Sequence, residues 1–192
     1  MAGLRQARLW TPANALTALR FIAALPLYHA IENGSWAIAF AIFWVAVASD
    51  LVDGRIARAR GESSALGGLL DHGTDAIFVV SGLCALANSG QTPWILPYLV
   101  AAAFLQYVLD SKTLAGRPLR TSRVGRWNGI LYFVPIGTLV TRETLSIGIP
   151  PDRFLFWIGV GLALTTLMSM ADRAWALIES RRHDRRSSSS SS

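Results

Sequence analysis

The chain has 192 residues, 52% of them hydrophobic and 16% charged, with a mean hydropathy of +0.39. This is too apolar for an ordinary soluble domain, and one integral membrane domain over residues 1–186 is the economical reading. The formal net charge of +6 gives no reason to invoke nucleic acid, and a lone Cys84 excludes an intrachain disulfide or a cysteine-rich metal site.

In chain order the apolar runs predict an all-α fold of six transmembrane helices: Asn14 to Ile31, Trp36 to Arg58, Ala65 to Asn88, Pro93 to Ser111, Trp127 to Thr141 (longer if it starts near Arg123), and Phe154 to Met170. Arg5 and Arg8 precede the first run as they would in a signal peptide, but no small-x-small cleavage site follows, so the segment reads as retained. All basic residues except Arg20, Arg142 and Arg153 fall before span one, between spans two and three or four and five, or after span six. The positive-inside rule therefore puts both termini, and those connections, in the cytoplasm. Trp10, Trp36, Trp94 and Trp127 stand near span ends as an aromatic belt would, and Pro97 and Pro135 are expected to kink their helices. Residues 187–192 are all serine and read as a disordered tail. One lysine against seventeen arginines points to a GC-rich, bacterial genome, hence to an inner (plasma) membrane.

Against this apolar background stand Asp50, Asp53, Asp71 and Asp75. One carboxylate at the centre of a membrane helix costs about 2.5–3.5 kcal/mol on the lenient insertion scale, and four cost on the order of 10 kcal/mol. Something must compensate them. Helical spacing puts Asp50, Asp53 and Ala57 on one stripe of span two and Gly67, Asp71 and Asp75 on one stripe of span three. The short Ala59 to Ser64 connection predicts antiparallel neighbours whose stripes face each other. Two carboxylates 6 Å apart repel by about 3 kcal/mol at an effective dielectric near 20, so some are protonated or divalent cations sit among them. An all-oxygen donor set suits Mg²⁺ or Mn²⁺, with two ions possible. Gly54, Ala57 and Gly67 leave room for a ligand beside the aspartates, and Arg58 adds a charge suited to phosphate oxygens. Together these describe a diphosphate site. The competing reading, structural ion pairs between aspartates and nearby arginines, fits one acid better than four.

The run Asp50-x-x-Asp53-Gly54-x-x-Ala57-Arg58-x8-Gly67-x-x-x-Asp71-x-x-x-Asp75 resembles the signature of the CDP-alcohol phosphotransferase family at all eight fixed positions. Asn14-x-Leu16-Thr17-x-x-Arg20 is similar to the opening of span one in bacterial phospholipid synthases, although Pro12 lies one residue earlier than the usual proline. The resemblance implies metal-dependent transfer of a phosphatidyl group from a CDP-linked lipid donor, CDP-diacylglycerol being favoured, to a small alcohol such as glycerol 3-phosphate, with CMP leaving. It implies that Asp50, Asp53, Asp71 and Asp75 surround the metals and that Asp75 is the base for the incoming hydroxyl. Gly54, Ala57, Arg58 and Gly67, with Asp53 and Asp71, would line the nucleotide and diphosphate pocket, and the protein would be a homodimer.

The acceptor is read two ways. Ser122, Gly125 and Arg126, with Lys112, Arg117, Arg120 and Arg123, form a cradle for an acceptor phosphate or simply obey the positive-inside rule. Asp71-His72-Gly73-Thr74-Asp75 is closer to choline and ethanolamine phosphotransferases, whose lipid is the acceptor, and His72 reads as a substrate contact or a packing histidine. Of the rival classes, a membrane prenyltransferase would lack the Gly54 to Gly67 insert. A divalent-cation transporter would need polar residues through both membrane halves, whereas Trp36 to Ala48 and Ile77 to Leu86 are almost wholly apolar.

Overall fold

The computed structural model describes the backbone of residues 12–60, 65–113 and 123–189, and the side chains of 18–51, 72–109, 125–176, 178 and 179. Among the described residues all regular structure is helical: α1 (Pro12–Glu32), α2 (Trp36–Arg60), α3 (Ala65–Asn88), α4 (Ile95–Thr113), α5 (Arg123–Leu131), α6 (Phe133–Thr144) and α7 (Asp152–Ser189). Four of the six expected spans match α1 to α4 to within two residues.

The other two differ for local reasons. The fifth begins at Arg123 and breaks at Tyr132 into α5 and α6. Pro135, in the first turn of α6, offers no N–H, and its ring conflicts with the carbonyl four residues back, at Leu131. Pro97 instead sits in the first turn of α4, where a missing N–H breaks no helical bond, so it is a start signal and not a kink. The sixth span extends far beyond Met170 because no glycine or proline interrupts residues 162–189, and the helix includes the first three serines of the terminal run.

Two helix ends close in the same way. Ser35 N donates to Ala30 O at 2.8 Å and Gly34 N to Ile31 O at 3.1 Å, with Gly34 at φ +64°. After α3, Gln91 N donates to Leu86 O at 2.8 Å and Gly90 N to Ala87 O at 3.1 Å, with Gly90 at φ +74°. Both are Schellman closures, in which glycine supplies the left-handed residue without strain. The end of α6 repeats the pattern with Ser146 at φ 53°, a position where a side chain is strained.

The largest helix contacts are those of α1 with α3 and with α2; α2 also packs on α6, α3 on α4 and α6, and α7 on α4, α5 and α6. Direct backbone contact between α2 and α3 is sparse among the described residues. α1 packs against both α2 and α3, and lies between them as their shared neighbour. The fully buried centre comprises Leu27, Phe43, Phe78, Leu83, Leu86, Leu96, Ile136, Leu139 and Leu155. Close approach is permitted by small residues. A Cβ on Gly137 would lie 2.7 Å from the Phe43 ring, and one on Gly82 2.6 Å from Ile136 Cδ1.

The outward faces are apolar as well: Phe21, Ile22 and Leu25 on α1, Val45 and Leu51 on α2, Leu105 and Leu109 on α4, and Leu164, Leu167 and Met168 on α7 are all exposed. One stretch among the described residues, Asp152–Ala176, is long and apolar enough to cross a membrane by length and composition; Trp36–Leu51 and Ile95–Leu109 are shorter apolar stretches. In the sequence the aspartate frame begins with Asp50, so the acids enter at the end of α2 remote from Trp36.

Candidate active site

The site is built where α1, α2 and α3 meet. Arg20, two turns into α1, is buried, its side chain only 3% exposed. Its Nη1 donates to Asp75 Oδ1 on α3 and forms an ion pair at 3.0 Å with Asp50 Oδ1 on α2. One guanidinium nitrogen thus holds carboxylates from two helices. The carboxylates are more open than the arginine, at 48% exposure for Asp50 and 24% for Asp75. They border a cavity of about 770 Å³ that every helix of the bundle helps to line. Its remaining walls are mainly apolar, including Val47, Val79, Val100, Phe104, Ile130 and Phe133.

The sequence-predicted residues fall into three groups. Asp50, Asp75, His72, Arg126 and Arg20 all line this one cavity. Asp53, Gly54, Ala57 and Arg58 follow Asp50 along the last turns of α2, and Gly67 and Asp71 precede Asp75 on α3; helical register puts Asp53 and Asp71 one turn from their described counterparts. Asn14 and Thr17 likewise precede Arg20 at three-residue steps on α1, and Lys112 and Arg123 belong to the ends of α4 and α5. Arg117, Arg120 and Ser122 lie outside the described residues.

For Asp50 and Asp75 the ion pairing of the competing reading is present, and Arg20 of the span-one motif supplies it. A bridging guanidinium converts the mutual repulsion of the two acids into attraction, which is how the pair stays together in apolar surroundings. Among the described residues no three His, Cys, Asp or Glu side chains stand close enough to hold a metal. Carboxylate oxygens such as those of Asp50 and Asp75 fit a hard divalent cation, and His72 lines the same cavity.

Other parts of the cavity lining were less visible in the sequence. His72 lies edge-on to Tyr107 with ring centroids 5.8 Å apart, and the Arg173 guanidinium of α7 stands 5.6 Å from the same Tyr107 ring. Gly125 makes room for this: a Cβ there would lie 2.8 Å from both Arg173 Nη2 and Ser169 Oγ. Tyr132, at the break between α5 and α6, pairs its hydroxyl with Thr166 Oγ1 at 2.7 Å and anchors the floor of the cavity to α7. Gly73 faces Phe104 of α4, whose Cζ would be in ordinary contact, 3.4 Å, with a Cβ there. The only advance signals for these parts were the Ser122-x-x-Gly125-Arg126 spacing and the unusual His72-Gly73 pair.

Comparison with known proteins agrees with the aspartate frame. A Mycobacterium tuberculosis protein named a cardiolipin synthase is 36% identical over 126 residues, 60% of this chain and 58% of that protein. A CDP-diacylglycerol–glycerol-3-phosphate 3-phosphatidyltransferase of Pseudomonas fluorescens is 24% identical over 180 residues, 86% of each chain. Cholinephosphotransferase 1 of Gallus gallus is 35% identical over 118 residues, 58% of this chain and 35% of its own length. The chain thus spans less than two thirds of the mycobacterial and avian relatives. The family model described as CDP-alcohol phosphatidyltransferase matches residues 10–168, most of the chain and the whole aspartate frame, and the protein therefore belongs to the CDP-alcohol phosphatidyltransferase family.

Proposed function

We propose that this protein is an integral membrane enzyme that transfers a phosphatidyl group from CDP-diacylglycerol to the hydroxyl of a small alcohol such as glycerol 3-phosphate, releasing CMP. The observation that carries the reading is the convergence of Asp50 and Asp75, two fixed positions of the family frame, on the edge of a cavity with largely apolar walls. A lipid-linked donor needs both. Its acyl chains require apolar surroundings, and its diphosphate requires polar groups at one depth.

In the proposed reaction the acceptor oxygen attacks the phosphorus that carries the diacylglycerol, the bond from that phosphorus to the bridging oxygen breaks, and CMP departs with the electron pair. The acceptor's proton passes to the Asp75 carboxylate. Such transfers depend on placement and charge neutralisation more than on covalent chemistry. Asp50, Asp53, Asp71 and Asp75 would hold Mg²⁺ or Mn²⁺, one or two ions; when bound, the metal neutralises the diphosphate and the departing phosphate of CMP. Gly54, Ala57, Arg58 and Gly67 would line the nucleotide and diphosphate pocket, and Arg126, with Ser122 and the arginines preceding it, the acceptor.

The apolar outer faces support a bilayer as the surrounding medium, since a water-facing surface of this kind invites aggregation. Residues 1–186 would form one domain in a bacterial inner membrane, with the aspartates and both termini on the cytoplasmic side, the serine tail outside the domain, and two copies as a dimer.

A second reading has its own support. His72-Gly73, with His72 on the cavity wall, and the similarity to an avian cholinephosphotransferase favour a CDP-alcohol donor and a lipid acceptor. One experiment separates the readings. Purified protein in mixed micelles is given Mn²⁺ or Mg²⁺ and either CDP-diacylglycerol with glycerol 3-phosphate, serine, inositol, inositol phosphate, choline or phosphatidylglycerol, or CDP-choline with diacylglycerol. CMP release with the first donor supports the favoured reading, and release with only the second supports the alternative. No CMP from any pair, with cation uptake into vesicles, would overturn both in favour of transport.

A further inference from the structure

We infer that Arg20 is a positioning residue of the proposed transfer: it sets the separation and orientation of Asp50 and Asp75 and so places the reacting carboxylate. The inference rests on the transferase reading and assigns Arg20 a role that charge compensation alone would not require.

The argument is geometric. Asp50 and Asp75 belong to different helices with little direct backbone contact among the described residues, while both helices pack extensively on α1. The described polar link between the two acids passes through α1 as a single side chain, and both carboxylates bond to the same atom, Nη1. Their bonded oxygens are therefore held within two hydrogen-bond lengths, roughly 6 Å, of each other. Two like charges at that range drift apart unless something fixes them. Arg20 is itself nearly inaccessible, and a planar guanidinium buried to this degree has few orientations open to it, so the carboxylates inherit its rigidity. Around the cluster, His72 and Arg126 face the same cavity from α3 and α5.

A pure counter-charge and a positioning group separate on substitution by lysine. Arg20→Lys keeps the charge and loses the planar fork. If Arg20 positions Asp75, CMP release by Arg20→Lys falls at least about tenfold in kcat, while KM for CDP-diacylglycerol stays within about twofold and thermal unfolding stays near wild type; misplacement of a catalytic group by about 1 Å can cost on the order of 100-fold. Methylguanidinium added to Arg20→Ala should restore part of the lost rate, because Arg20 borders the cavity and a small cation can reach its place, whereas methylammonium should not. Wild-type kcat in Arg20→Lys, or equal rescue by both cations, overturns the inference and leaves a simple counter-charge. Should Arg20→Lys not yield folded protein, the contrast between methylguanidinium and methylammonium, measured on Arg20→Ala or Arg20→Gln, carries the test with the same two outcomes. Failure of the transferase reading is distinguishable, since the wild-type protein would then release no CMP.

Discussion

Two arginines at opposite ends of the bundle are each buried between two acids, and one of them, Arg20, lines the cavity described above. Arg142, at the end of α6, bonds Glu143 through Nε at 2.9 Å and Nη2 at 2.6 Å, Asp152 through Nη2 at 2.6 Å, and the Pro150 carbonyl through Nη1 at 2.7 Å. Burial would lower its pKa, but the hydrogen bonds to Asp152 and Glu143 outweigh that and raise it, so the group stays charged throughout the accessible pH range. Gln91, between α3 and α4, reaches the same Asp152 at 3.3 Å. Every donor nitrogen of this guanidinium is used, and its partners lie within ten residues of it in sequence. Arg20 instead joins residues 30 and 55 positions away, and its acids open onto a cavity. The same chemistry makes a staple in one place and a candidate site in the other. What distinguishes them is vacant space beside the carboxylates and the sequence distance that is spanned.

The comparison can be broken most decisively at the acids. Asp75→Asn should cut CMP release by about 10²–10⁴-fold, the usual range for loss of a general base, and Asp71→Asn should abolish it through loss of a metal carboxylate, while insertion and unfolding temperature stay close to wild type. Near-wild-type activity in both would leave the frame without a catalytic part. Arg142→Met should have the opposite profile. It unpairs Glu143 and Asp152 and should lower stability by about 1–3 kcal/mol in a denaturant titration with specific activity unchanged, because Asp152 can turn to solvent and no acid is left sealed in. A fall in activity matching that of the aspartate variants would erase the distinction between the two ends.

Smaller effects sharpen it. Gly137→Ala drives a methyl into the Phe43 ring at the α2–α6 contact and should cost about 1–3 kcal/mol as overpacking, again without a direct effect on chemistry. Ser146→Gly relieves the left-handed residue after α6 and should stabilise the Arg142 end by roughly 1 kcal/mol, read as a small rise in unfolding temperature. No change there would mean that the serine is held by contacts that offset its backbone strain.

Much of the site was legible in advance because it is periodic. Asp50 and Asp53, or Asp71 and Asp75, share helix faces by spacing alone, and four acids in apolar runs demand an explanation whatever the fold. Helix limits were equally accessible for α1 to α4, where Asn33-Gly34 and Ser89-Gly90 mark closures, and Pro135 flagged the break beside Tyr132. Arg20 could be singled out by its motif, but not its partners. Hydropathy records how deep a residue sits and says nothing about which neighbour it meets. The same limit hid Arg173 and Tyr107, which looked like a topological charge and an ordinary aromatic until α4 and α7 placed them on the lining of the cavity that the aspartates border.

By itself the amino-acid order determined that the chain is helical, which faces carry acids, and which family those acids belong to, because each follows from spacing along a single helix or from matched residues. Only the tertiary structure decided that α1 packs on both α2 and α3, that one buried guanidinium ties Asp50 to Asp75, and that the Arg142 cluster closes on itself while the Arg20 cluster faces a cavity. Those outcomes depend on side chains far apart in sequence finding complementary shape and charge, and no local periodicity encodes that choice.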